Sequence, residues 1–197
     1  MSSQTPRIEG KKVAFLATDG VEQVELDRPW AAVREAGGHP ELVSPHDGTI
    51  QCLNHLDKGE RRQVDTTVRT VHAEDYDALV LPGGVANGDF IRSDAAAVSF
   101  VRDFAESGKP IGVICHGGWV LAEADVIRGR TMTSWASLAT DLRNAGARWL
   151  DREVVTDRGL VSSRKPADLD AFCSKLVEEI AEGAHTVRPV REAARGR

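Results

Sequence analysis

The feature that most limits what this chain can fold into is the exchange of short apolar runs with helix-period segments from one end to the other. "KVAFLAT" (12 to 18), "HPELVS", "YDALVLPGG" (76 to 84) and "PIGVIC" are continuous or nearly continuous runs of the kind that a strand buried on both faces requires. Between them, "EQVELDRPWAAVREAG" repeats apolar positions at Val24, Leu26, Trp30 and Val33 before a Gly-Gly stop, and "DAAAVSFVRDFAESG" reads as a helix capped by Asp94 and stopped by Gly108. "HGGWVLAEADV" and "SLATDLRNAG" read as further helices, "EVVTD" and "GLVSS" as two short β segments, and a last helix runs from about Asp168 to Glu182. Residues 47 to 72 turn polar and turn-rich, which fits an antiparallel hairpin hung on the main sheet. Strand and helix in alternation predict an α/β sandwich of three layers, with a mostly parallel sheet covered on both faces.

The 197 residues suit one domain, expected over 11–183, with a short tail at 1–10 and a basic tail at 184–197. Hydrophobic residues at 41% and charged residues at 28% are ordinary for a globular protein and far from disordered or membrane classes. The net charge is −5, and the end of the chain holds Arg188, Arg191, Arg195 and Arg197 against Glu192 alone. That distribution gives no general attraction to nucleic acid or anionic lipid, and the tail has no aromatic to stack on bases. "MSSQTPRIEGKK" lacks an apolar leader core and no run is long enough to span a membrane, so a cytoplasmic location is expected. Cys52, Cys115 and Cys173 are odd in number and without CxxC spacing, which argues against a disulfide framework and a zinc ribbon.

In open α/β sheets chemistry gathers beyond the carboxyl ends of strands, and "KPIGVICHGGWVLAEADV" places Cys115 and His116 at such an end. A thiol at a helix N-terminus faces unpaired N–H groups, which favour thiolate and predict a lowered pKa. The sharp turn into Gly117 and Gly118 resembles a nucleophile elbow. The backbone N–H of His116, with another from the turn at Gly83 and Gly84, is a candidate oxyanion donor. Neighbouring side chains at such a turn diverge, so His116 is not required to touch Cys115 within one chain. "TDGVEQVEL" leaves the first strand at the same edge and offers Asp19, Glu22 and Glu25 as carboxylates. Cys115 and His116 lack other ligands at recognisable spacing, so neither a metal nor a cofactor is expected. His39, His46, His55, His72 and His185 are scattered in polar stretches and are given no role.

"FLATDGVEQVEL", "DALVLPGG", "GKPIGVICHGGWVLAEADVIRGR", "DLRNAGARWLDREVVTD" and "GLVSSRKPADLDAF" together resemble the DJ-one/PfpI superfamily, in its intracellular protease I and general stress protein branch. The likeness spans residues 11 to 182. It implies a flavodoxin-like sandwich that assembles as a homodimer or larger oligomer. It implies Cys115 as nucleophile, Glu22 as the protonated carboxyl beside it, and Glu25 as an ordinary helix residue. In protease-like members the histidine after the nucleophile pairs with an acid from a neighbouring subunit, and Asp89 in "GGVANGDFIRSD" is the matching position. That loop is one residue longer than the family's usual form and lacks its proline, and "CHGG" replaces the more usual "CHGP".

The resemblance implies a stress-protective enzyme in which Cys115 attacks a small dicarbonyl such as methylglyoxal, or its early protein adducts, as a glyoxalase or deglycase. An aldehyde needs no leaving amine to be protonated. Cleavage of a protein or peptide substrate, with a Cys-His-acid triad completed across the interface, is the alternative; a non-catalytic redox sensor or chaperone that uses oxidation of the same cysteine is another. A class I glutamine amidotransferase shares the cysteine elbow, but Val113 stands where it has glycine and His185 lacks a following His-x-Glu pattern.

Overall fold

The computed structural model describes residues 6–185. β1 (Lys12–Leu16) leads into α1 (Gln23–Glu35), β2 (His39–Ser44), the hairpin strands β3 (Thr49–Asn54) and β4 (Asp57–Gln63), and the short β5 (Thr66–Thr67). β6 (Ala78–Leu81) is followed by α2 (Val85–Arg92) and α3 (Ala95–Ser107), and β7 (Ile111–Ile114) by a 3-10 turn at Cys115–Gly117 and α4 (Gly118–Glu123). β8 (Thr131–Met132), α5 (Ala139–Asn144), β9 (Arg148–Trp149), β10 (Val154–Asp157), β11 (Leu160–Ser163) and α6 (Leu169–Glu182) follow.

Seven strands form one sheet in the order β10-β11-β7-β6-β1-β2-β5. Only β10 runs antiparallel, paired with β11. The two-residue period of the strands divides their side chains between two cores. Ala14, Leu16, Leu79 and Leu81 face the layer of α2, α3, α4 and α5. Val13, Phe15, Ala78 and Val80 face α1 and α6, where Leu26, Val33, Phe172, Leu176 and Ile180 cover them. Strands buried on both faces explain why these segments read as unbroken apolar runs rather than as alternating patterns. Asp94 caps α3 by accepting the Ala97 N–H at 2.9 Å, and Gly108 ends it at φ 73°, as expected.

Three expectations change. Residues 85–92, expected as a loop from "GGVANGD", form α2, because Asn87, Gly88 and Ile91 line one buried helical face that outweighs the weak local propensity. α4 is six residues preceded by a 3-10 turn, not one continuous helix from His116. Ile8, placed in the N-terminal tail, is 2% exposed and joins the core under α1. Residues 186–197 of the basic tail lie outside the described residues. No helix among the described residues is long and apolar enough to cross a membrane.

Candidate active site

The chain reverses direction across the sheet at β1, with β2 on one side and β6 then β7 on the other. The loops leaving β1, β6 and β7 meet at that switch point, where an open α/β sheet leaves a crevice. A cleft of about 690 Å³ opens there, lined by Glu22, Glu25, Gly84, Cys115 and His116 at its floor. Leu56, Phe90, Trp119 and Trp135 stand along its walls.

Cys115 takes φ 59°, a left-handed conformation costly for a residue with a Cβ and of the kind that concentrates at functional turns. The elbow is tightly packed from behind. A Cβ on Gly117 would sit 2.6 Å from the Leu81 carbonyl, and one on Gly88 would sit 2.8 Å from the His116 carbonyl. Gly117 thus serves close packing of the elbow, and Gly88, unmarked in the sequence, lets α2 approach it. The backbone N–H groups of His116 and Gly84 lie near enough to the Cys115 sulfur to favour its thiolate. These are two of the donors expected for an oxyanion.

Glu25 is the carboxyl beside the nucleophile, not Glu22. Glu25 is 0% exposed, and it lies within hydrogen-bonding reach of the Cys115 thiol and the Gly83 N–H. Neither of its oxygens has a partner in good hydrogen-bond geometry. Glu22, at the N-cap of α1, turns outward to accept the His55 N–H at 3.1 Å. The hairpin turn that carries His55 is held over this edge by pairing of Leu53 with Glu22. The signal that distinguishes the two carboxylates was present in the sequence: Glu25, Pro29 and Val33 recur at i, i+4 and i+8, and all three are buried on one stripe of α1. Gly83 is required by the same contact, since a Cβ there would lie 2.1 Å from Glu25 Oε2 and 2.6 Å from Cys115 Cβ.

Burial pushes the Glu25 pKa from 4.5 up to about 8, with the Glu22 charge adding to the rise, so Glu25 is protonated at neutral pH. Burial also raises the Cys115 thiol, followed by the Glu25 charge, while the His116 and Gly84 N–H groups oppose the rise. The expected lowering by a helix end does not prevail, because Cys115 is 8% exposed and the helix behind it is short. His116 supplies what the dipole does not. Its Nδ1 lies 3.2 Å from Sγ within the same chain, and burial lowers its pKa, which leaves a neutral ring able to accept the thiol proton.

The imidazole is held by aromatic neighbours, with the Trp119 ring edge-on at 5.2 Å and the Trp135 ring stacked at 6.1 Å. Trp119 is fixed by donating from Nε1 to Asp141 at 2.8 Å and forms part of the cleft wall. Asp89 is exposed on α2 and lines the cleft, but it makes no hydrogen bond to His116 among the described residues. Asn87, also unmarked in the sequence, is 1% exposed and joins the loops that follow β1 and β6. Its Oδ1 accepts the Thr18 N–H at 2.8 Å, and its Nδ2 donates to the carbonyls of Pro82 and Gly83 at 3.2 and 3.1 Å. Asp19 turns away from the thiol and accepts the Gln51 N–H at 2.7 Å.

A deglycase of Pyrococcus horikoshii, PH1704, is 42% identical over 167 residues, which cover 85% of this chain and 98% of that protein. Protein/nucleic acid deglycase 2 of Escherichia coli is 42% identical over 165 residues, covering 82% and 93%. A two-domain protein from Anabaena variabilis, with DJ-1/ThiJ/PfpI-like and ferritin-like domains, superimposes with a TM-score of 0.83 at 32% identity, over 93% of this chain and 52% of that one. The cysteine elbow, its buried carboxyl and the parallel sheet lie within residues 11–179, the span matched by the DJ-1/PfpI family model, and the chain belongs to that family.

Proposed function

We propose that this protein is a cysteine-dependent enzyme that acts on reactive carbonyl compounds, methylglyoxal or its early protein adducts, in the manner of a glyoxalase or deglycase. The observation that carries the reading is the buried, protonated Glu25 against Cys115, in a cleft where two backbone N–H groups converge on the sulfur. Neutral Glu25 donates to sulfur and adds no negative charge beside it. As sulfur bonds to the aldehyde carbon, His116 Nδ1 takes the thiol proton and returns it to the new alkoxide, which gives a neutral hemithioacetal. Transfer of the C1 proton to C2 through an enediol converts that adduct to a lactate thioester. Water then cleaves the thioester to lactate and free thiol. The names of the deglycase relatives support the reaction class.

A second reading, peptide hydrolysis across a subunit interface, is favoured by one observation. Leu56, Val85, Phe90 and Trp135 are the exposed large hydrophobics among the described residues, at 95%, 57%, 56% and 39%, and all four surround the cleft that also holds Asp89. A second copy covering that rim would bring its own acid near the ring of His116 and complete a triad. Self-association through this face belongs to the same proposal.

The test is methylglyoxal consumption by wild type beside Cys115→Ala, with casein hydrolysis measured in parallel and intact mass recorded before and after mild peroxide. Turnover abolished in the variant supports carbonyl chemistry, and hydrolysis of casein alone supports the protease reading. Oxygen addition to Cys115 with neither activity would replace both with a redox-responsive role.

A further inference from the structure

We propose a divalent-metal site at the end of the molecule opposite the cleft, formed by Glu179 and Glu182 of α6 and by His185 just beyond it. One ligand atom from each lies within 4.8 Å of the other two. Glu179 is 4% exposed, an unusual setting for a carboxylate without a full set of partners. Its Oε2 and His185 Nε2 are 3.0 Å apart, yet both atoms are buried without a hydrogen bond in acceptable geometry. The ring nitrogen therefore does not aim at the oxygen; the two atoms stand side by side. Two ligands each roughly 2.1 Å from a tetrahedral zinc ion are separated by about 3.4 Å, and the observed 3.0 Å is within a few tenths of an ångström of that spacing.

The backbone holds the imidazole in place. The His185 N–H donates to the Gly108 carbonyl at 2.8 Å, and a Cβ on Gly159 would lie 2.8 Å from His185 Cδ2. Gly108 and Gly159 precede β7 and β11, so the ring is seated against the amino ends of two central strands. Gly183, at φ 83°, turns the chain so that a ligand three residues past the helix faces back toward its last turn. Two carboxylates balance a dication, and the imidazole selects a borderline metal such as Zn²⁺ over Ca²⁺ or Mg²⁺. The ion would clip the end of α6 to the sheet, a structural role separate from the thiol chemistry.

The experiment uses the tag-free full chain, stripped with chelator and then given Zn²⁺, with bound metal counted by native mass spectrometry and stability followed by thermal melting. One zinc per chain is expected, with a rise in Tm of about 5 °C at saturating metal. Cys115→Ala should retain both, which separates this site from the catalytic thiol. Glu182→Gln and His185→Gln should lose both, and Glu182→Gln should melt like wild type without metal, since Glu182 is exposed. Absence of stoichiometric zinc from wild type would leave a plain Glu179–His185 ion pair and overturn the proposal. Retention in both ligand variants, or loss in Cys115→Ala, would overturn it equally.

Discussion

Glu25 presents a fully buried carboxyl to the Cys115 thiol, and neither carboxyl oxygen has a conventional partner. A carboxylate so placed would be a desolvated charge beside a forming thiolate. A carboxylic acid there has a proton to donate and one acceptor, the sulfur, that gains strength as it ionises. Once His116 takes the thiol proton, the pair holds a single negative charge, and that charge stays on sulfur as long as Glu25 keeps its own proton.

Replacing Glu25 tests this division of labour. Glu25→Leu removes the donor, and kcat/KM for methylglyoxal should fall by about 100-fold, within the range for loss of one donor to developing charge. Glu25→Gln retains an N–H donor of similar shape and should keep activity within about 10-fold of wild type. Equal losses in the two variants would mean that the carboxyl only fills space. Alkylation of Cys115 by iodoacetamide reports the same ordering without relying on a substrate.

The raised pKa also predicts how stability depends on pH. Folded Glu25 binds its proton up to about pH 8, whereas the unfolded chain releases it near 4.5. Between those values the folded state holds more protons, so this group's stabilising contribution is complete below pH 4.5 and is lost as pH rises through 8. The shift corresponds to at most about 5 kcal/mol. Urea unfolding at pH 5, 7 and 9 should show wild type losing stability relative to Glu25→Gln as pH rises. Parallel curves for the two proteins would show that Glu25 titrates normally.

The fold was legible because its strands are buried on both faces and its helices carry ordinary caps, so apolar runs, Asp94 and Gly108 mark the elements directly. Cys115 was legible for a related reason, since a thiol between an apolar run and two glycines has few structural explanations. The choice between Glu22 and Glu25 failed where two carboxylates share one helix start. Sequence likeness favoured the first, while the buried stripe through Pro29 and Val33 marked the second. Asn87 and Gly88 looked like turn residues, because their partners are backbone atoms of loops distant in sequence. The direction of the Cys115 pKa shift was missed because a helix end is visible in a sequence and desolvation is not.

Gly83 is a position where any side chain should disable the site. A Cβ there would lie 2.1 Å from Glu25 Oε2 and 2.6 Å from Cys115 Cβ, and the Cys115 backbone is already held at φ 59°. Gly83→Ala should cost about 1 to 3 kcal/mol, the usual penalty for overpacking, and should reduce methylglyoxal turnover by more than 100-fold by separating Glu25 from sulfur. Gly129→Ala is the comparison: unlike Gly83 it has positive φ, at 71°, and no atom lies within 4 Å of the added carbon. It should lose stability through backbone strain alone and retain turnover. Similar activity in the two variants would remove the close-approach explanation.

Asn87 should behave as a positioning residue rather than as a group that meets substrate. Its amide connects the Thr18 N–H after β1 to the Pro82 and Gly83 carbonyls after β6, and so fixes the distance between the loop that precedes Glu25 and the turn that supplies the Gly84 N–H. Asn87→Ala strands the Thr18 N–H and the Pro82 carbonyl, whereas the Gly83 carbonyl keeps the Glu22 N–H at 3.2 Å, and it should destabilise the fold by about 2 kcal/mol. It should also lower kcat more than it raises KM, because the displaced donors act on developing charge rather than on bound substrate. Asn87→Asp keeps the acceptor for Thr18 but faces two carbonyls with a carboxylate, so it should rescue neither quantity at pH 8 and recover part of both near pH 5, where protonation restores one donor. A kcat unchanged in Asn87→Ala at a temperature well below its Tm would show that the turn holds its geometry without this amide.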